Sequence, residues 1–318
     1  MDIVNGKGMN ILEKMIRRLL LALQKVGIFK RMGLYIMPIH YYCPIPDLDK
    51  INKDPDWDLR PKQIPGIDLN ENFQLWLLKN EFPKYVYEYD FPLKRSDIKK
   101  PGEFYFDNHM FANTDAEVYY CMIRYFKPRI VVEVGGGRST QICYEASQKS
   151  LKLHNTKTNI FVIEPFPNRE ILIPMSKDSI HLMKNKVENI DTDFFSQLNE
   201  NDILFIDSTH VIKSGGDVNY LFLDILPRLK PGVVVHIHDI RLPYEVKKTD
   251  IIDCGLFFTE EYMLRAFLIG NREFEVLWGT YFMAQKYSEK IASTFRTSNH
   301  GKYAGGSFWI RRKKEKMF

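Results

Sequence analysis

Ile130-Val-Val-Glu133-Val-Gly135-Gly136-Gly137-Arg138-Ser139-Thr140 is the stretch that decides the fold. Five residues with four β-branched aliphatics among them read as a strand buried on both faces. Three glycines follow, where the backbone can turn sharply and lie close to a ligand, and the next helix would present its N-terminal amides at that turn. The stretch is not a dinucleotide fingerprint, because G-x-G-x-x-G would need glycine at position 140, where Thr140 stands. The acid Glu133 precedes the glycines, where it can hold an ammonium group.

Outward from this unit, short apolar runs alternate with helical stretches. Strands are expected at Ile130–Val134, Ile160–Glu164, Ile180–Met183, Ile203–Asp207 and Val233–His238, then at Phe274–Trp278 and Ser307–Ile310. Helices are expected at Asp115–Phe126, Ser139–Lys149, Val218–Leu229 and Glu260–Gly270. Such alternation predicts a doubly wound, Rossmann-like α/β sheet over residues 104–318. Residues 279–306 are polar and contain glycine, so no clear crossover helix is expected there and the last two strands are expected to pair antiparallel.

Residues 1–103 read as an N-terminal extension. Within 9–27 apolar side chains recur at helical spacing (Ile11, Met15, Leu19, Leu23) with bases on the remaining face. That pattern suits packing on the chain's own domain, on a twin subunit in a homo-oligomer, or on a membrane surface. Six prolines between 36 and 70 mark irregular chain, and a short helix is expected near 72–80.

At 318 residues, 45% apolar and 27% charged, the chain is neither a disordered polymer nor a fibre. No run of eighteen apolar residues exists, and Arg17 and Arg18 interrupt the only stretch that resembles a signal peptide. The net charge of +5 is concentrated at the ends. Residues 1–33 hold +5 and residues 311–316 hold +4, so the body is about −4. A nucleic-acid footprint is therefore not expected. Four scattered cysteines (Cys43, Cys121, Cys143, Cys254) suit reduced thiols in a cytoplasmic protein, with the inner membrane face as a contact.

In an open α/β sheet, ligands bind beyond the carboxyl ends of the strands. The second strand ends in Glu164, where a carboxylate can accept both hydroxyls of a ribose. The fourth ends Asp207-Ser-Thr-His210 and the fifth ends His236-Ile-His238-Asp239. Neighbouring strands, roughly 4.8 Å apart, would set Asp207 beside Asp239, close enough to share a divalent cation. His210 can hang over the same spot as a general base. At least one of His236 and His238 is expected to be a hydrogen-bonded core histidine, His236 above all.

These residues resemble the class I S-adenosylmethionine-dependent methyltransferases, in the branch that contains small-molecule and sugar O-methyltransferases (methyltransferase 24-like). The resemblance covers residues 104–318 and rests on Glu133-Val-Gly-Gly-Gly, Glu164, Asp202-Ile-Leu-Phe-Ile-Asp207-Ser-Thr-His210, Leu-Pro-Arg-Leu-Lys-Pro-Gly232 and His238-Asp239 in that order. It implies a seven-stranded sheet ending in an antiparallel hairpin. It also implies cofactor contacts: Glu133 at the methionine amino end, Gly135, Gly136 and Gly137 beneath the cofactor, Glu164 on the ribose and Glu188 on adenine.

Metal-dependent relatives imply magnesium or manganese at Asp207 and Asp239. Ile240 stands where a further ligand would be, and His238 is a candidate substitute. The activity implied is transfer of a methyl group to a hydroxyl of a small molecule or glycan, with His210 as base. Two other readings stay open: a metal-dependent hydrolase built on Asp207, His210, His236, His238 and Asp239, and a non-catalytic cofactor-binding subunit.

Overall fold

The computed structural model describes residues 10–37, 39–168, 178–297 and 305–314. Met9, Lys7, Pro38 and the end of the basic tail, Glu315 and Lys316, lie outside the described residues. The chain forms two compact units, residues 1–55 and 56–318.

In the first unit the helical periodicity becomes α1 (Ile11–Lys25), opened by a reciprocal capping box between Asn10 and Glu13. Gly27, at φ 77°, lies just past its end. A short helix, Ile28–Arg31, follows. Among the described residues no helix is long and apolar enough to cross a membrane.

The second unit is built on a seven-stranded sheet: β1 Ile130–Val134, β2 Asn159–Ile163, β3 Ile180–Met183, β4 Ile203–Ile206, β5 Val234–Ile237, β6 Phe274–Gly279 and β7 Phe308–Arg312. Their order in the sheet is β3-β2-β1-β4-β5-β7-β6. The first five strands run parallel, and β7 lies antiparallel between β5 and β6. The order reverses at β1 and β4, which opens a crevice at their carboxyl ends.

The strand period of two divides the core. Val131, Ile203, Phe205 and Trp309 face α2 (Asn113–Phe126) and α3 (Arg138–His154), whereas Val132, Val134, Leu204 and Ile206 face the opposite side with α4 (Glu260–Leu268). Residues 56–103 join the first of these cores through Leu77, Leu78, Phe82 and Val86. Gln74 fastens the segment to the sheet by accepting the Gly279 N–H at 2.9 Å. The four cysteines are unpaired.

Two expectations differ from the structure. The segments near 72–84 and 218–229 are not single α-helices. Each passes through a wide π turn (Leu77–Glu81, Tyr220–Ile225) into a 3-10 turn carrying a proline, Pro83 or Pro227. Proline has no N–H to donate and crowds the preceding turn, so the helix widens before it. Residues 279–306 also hold two helices, Thr280–Lys286 and Ser288–Thr294. Burial of Tyr281, Phe282, Met283 and Ala284, then of Ile291 and Phe295, stabilises them despite the polar residues between.

Candidate active site

The glycine turn follows β1 closely. Gly135 sits at φ 84°, and a Cβ there would stand 2.2 Å from the Asp207 carbonyl oxygen. At Gly136 a Cβ would stand 2.1 Å from Val162 Cγ1. These two glycines let β1 exit between β2 and β4, while a Cβ on Gly137, at the start of α3, would meet only Met110 at 3.7 Å. The N-terminus of a seventeen-residue helix thus stands at the rim, with Gly137, Ser139 and Thr140 buried and Arg138 half-buried.

Glu133 lies beneath this turn, fully buried. Its carboxylate accepts from Tyr119 Oη at 2.9 Å and Thr140 Oγ1 at 2.5 Å. Thr140 Oγ1 in turn accepts the Gly137 N–H at 3.1 Å. Burial pushes the Glu133 carboxyl up to about 7, and the two hydroxyl donors hold it below where burial alone would take it. In this structure both Glu133 oxygens brace the turn from behind.

Glu164, directly after β2, joins the same turn from the open side. Its Oε2 accepts the Gly136 N–H at 3.3 Å and its Oε1 accepts the Phe166 N–H at 2.7 Å. Glu188, in the turn Val187–Asn189 after β3, is half-buried and 4.0 Å from Lys186 Nζ. The rim over β1, β2 and β3 therefore gathers the predicted glycines and both acids.

A second cluster closes β4 and β5. The β4–β5 register aligns Ile206 with Ile237, so Asp207 falls opposite His238, and Asp239, one residue further on, also reaches His210. His210 and Asp239 both take positive φ, 58° and 54°, strained for residues other than glycine. His210 Nε2 stands 3.2 Å from Asp207 Oδ1 and 3.6 Å from Asp239 Oδ2. Its Nδ1 lies 2.7 Å from Oε2 of Glu260, a residue the sequence did not single out.

Glu260 is buried, and its Oε1 accepts from Ser208 Oγ at 3.0 Å. The His210 carbonyl accepts the N–H groups of Thr259 and Glu260, which fixes the start of α4 against the β4 loop. Burial pulls the His210 imidazole down, but hydrogen bonds to Asp207 and Glu260 outweigh it and hold the ring well above its ordinary range. The imidazolium in turn holds the Asp207 carboxyl low against the pull of burial.

A cation between Asp207 and Asp239 does not fit this arrangement, since His210 Nε2 already occupies the space between their oxygens. Among the described residues no group of three or more His, Cys, Asp or Glu side chains is placed to hold a metal. The candidate substitute His238 is buried against Phe111, with Nε2 3.8 Å from Asp239 Oδ1. Ile240 is buried in the core.

His236 is indeed a core residue, stacked on Trp309 at 4.7 Å and edge-on to Phe205 at 4.2 Å. The hydrogen bond expected of it is missing, however, because neither His236 nitrogen has a partner; His238, also buried, lacks a partner at Nδ1 and turns Nε2 toward Asp239. Aromatic rings surround His236 where a donor would be needed, and burial keeps the ring neutral. It cannot join the strand-end cluster, which removes one ligand from the hydrolase reading.

A cavity of about 420 Å3 opens beside Asp239 and His238, walled by Asn113, Asp115, Arg241, Asp250, Tyr281 and Gln285. Arg241 stacks on Tyr281 at 3.8 Å and pairs with Asp58 at 3.0 Å. Asp115 accepts the N–H groups of Gly306 and Ser307 at 2.8 and 2.9 Å, anchoring the chain just before β7. A Cβ on Gly305 would fall 1.8 Å from an Asp115 oxygen. The only signal for Glu260 and Asp115 in the sequence was an acid in the first turn of a helix, which reads equally as a dipole partner.

Comparison with known proteins places residues 132–240 in a family model described as a methyltransferase domain. A protein of Archaeoglobus fulgidus, described only as uncharacterized, is 30% identical over 179 residues, which span 54% of this chain and 77% of that protein. Among solved structures, the chain is similar to the Podospora anserina methyltransferase PaMTH1 bound to S-adenosylhomocysteine. That match has 15% identity and a TM-score of 0.40, over 88% of this chain and 100% of that one. It is similar also to the plantazolicin methyltransferase BpumL with the same ligand, at 12% identity and a TM-score of 0.37, over 62% and 82%.

Proposed function

The chain belongs to the class I S-adenosylmethionine-dependent methyltransferases, and from that premise we propose that it methylates a hydroxyl of a small molecule or sugar seated beside Asp239. Bound S-adenosylmethionine supplies an activated methyl group on a sulfonium sulfur. The residues at the rim suit this cofactor: a Cβ on Gly137 would meet only Met110 at the N-terminus of α3, and Glu164 accepts the Gly136 N–H. Glu164 would receive the ribose hydroxyls and Glu188 the adenine, while Glu133 keeps the turn in shape from below.

His210 is the proposed base. An alcohol needs to lose its proton as its oxygen attacks the methyl carbon, and a positioned imidazole is suited to take it. Glu260 fixes the ring through Nδ1, so Nε2 is the atom that receives the proton, and Asp207 and Asp239 stabilise the imidazolium that results. The observation that carries this reading is His210 Nε2 held between two strand-end carboxylates, one of which, Asp239, lines the cavity. Because these carboxylates hold a proton on His210 in the resting protein, turnover should rise on the alkaline side of neutrality. No step runs through a metal.

The cavity favours a polar acceptor. Amide, carboxylate and guanidinium groups can meet several hydroxyls, and Phe258 adds an aromatic ring to the lining. The test is labelled methyl transfer to a panel of sugars and small alcohols by the wild type and His210→Ala. Loss of transfer on the order of a hundredfold or more, with cofactor affinity retained, supports the reading; retained turnover removes His210 from the mechanism.

A further inference from the structure

α1 contains no buried residue. Ile11, Leu12, Met15, Ile16 and Leu19 are 48–79% exposed. At 100° per residue these five side chains fall within one arc of about 140°. Lys14, Arg18 and Lys25 border that arc along one edge, and all three are exposed. The flank carrying Leu20, Leu21 and Gln24 is partly covered, and Gln24 Oε1 there accepts the Ile36 N–H at 3.2 Å; within the apolar arc only Leu23, near its C-terminal end, is partly covered. The helix therefore turns its broadest apolar face to solvent. Beyond it come Lys30 and Arg31, then Tyr35, Tyr41 and Tyr42, each at least 77% exposed.

We infer that α1 lies flat in the surface of an anionic lipid bilayer, with the apolar arc among the acyl chains and the basic edge against the headgroups. Fifteen residues reach only about 22 Å, short of the roughly 30 Å hydrocarbon core, so the helix lies on the bilayer and does not cross it. Charge selects the partner. α1 carries four bases and one acid, so a second copy packed on the same face would bring like charges together along its border. Anionic headgroups neutralise them. The exposed tyrosines suit the headgroup layer, where an apolar ring and a polar hydroxyl are both accommodated.

The test uses the full chain and vesicles of phosphatidylcholine with or without phosphatidylglycerol, read by co-sedimentation. Binding should require the anionic lipid and weaken with salt. Ile16→Glu/Leu19→Glu should lower it at least about tenfold, and Lys14→Ala/Arg18→Ala about thirtyfold. Both pairs lie in the first unit, outside the one that carries the sheet, so methylation of a soluble acceptor should be unchanged and the outcome is independent of the proposed function. Failure to bind, or equal binding to neutral vesicles, overturns the inference. So does sedimentation equilibrium showing a dimer that Ile16→Glu/Leu19→Glu dissolves, which would give the face to a second copy.

Discussion

Replacing Glu133 with Gln should stabilise the cofactor-free protein above neutral pH and have much less effect in acid. The Glu133 carboxyl is fully buried and titrates at about 7 in the folded chain, against an ordinary 4.5 when unfolded. Between those values the folded state keeps a proton that the unfolded state has released. Stability therefore falls as pH rises through this window, because the group's folded pKa is the raised one. At 1.36 kcal/mol per pH unit, the loss is about 3 kcal/mol. Gln has the same shape and can still meet Tyr119 and Thr140, but it has no charge to desolvate.

The measurement is urea unfolding of both proteins at about pH 5 and about pH 8. The variant's stability relative to the wild type should increase by about 2.5 kcal/mol between the two, whatever fixed offset the amide introduces. Other buried acids, such as Glu261 at about 8, act equally in both proteins and cancel. A difference that stays constant with pH would refute the reasoning. It would mean that Glu133 is ionised in the fold throughout, and would return it to the role of an open ammonium ligand.

Gly135→Ala should cost about 2–4 kcal/mol of stability, because its Cβ would meet the Asp207 carbonyl oxygen at 2.2 Å from a left-handed backbone; thermal melts and cofactor titration check it. Glu260→Gln should lower kcat on the order of tenfold to a hundredfold, the worth of a charge-assisted hydrogen bond to the base. It should also move the alkaline rise of kcat/KM toward lower pH, since His210 loses one of the carboxylates that hold its proton; a purely structural role would leave that midpoint in place. Chelation with EDTA should leave turnover intact, and activity lost to the chelator and restored by magnesium would contradict the geometry around His210.

Much of the sheet was legible because buried parallel strands write themselves as apolar runs. Ile130–Val134 and Ile180–Met183 match the expected bounds, and the other strands shift by one or two residues. The rim acids were legible because they follow those strands, although the register sets Asp207 opposite His238 and Asp239 comes to His210 from one residue further on. Glu260 was not, since its contact with His210 spans fifty residues and depends on how the start of α4 docks on a loop carbonyl. Nor was the burial of Glu133, which depends on Tyr119 and Thr140 arriving from two different helices. The helices between β6 and β7 were masked by polar residues, and they form because tertiary burial of Tyr281–Ala284 outweighs local composition.

The central claim is that the carboxyl edge of β1 and β2 receives S-adenosylmethionine. Calorimetry on the full chain should show saturable binding of both the cofactor and its demethylated product. Glu164→Ala should weaken both at least about tenfold by removing the carboxylate that meets the ribose. Absence of binding heat at any accessible concentration, or an affinity indifferent to Glu164, would contradict the account.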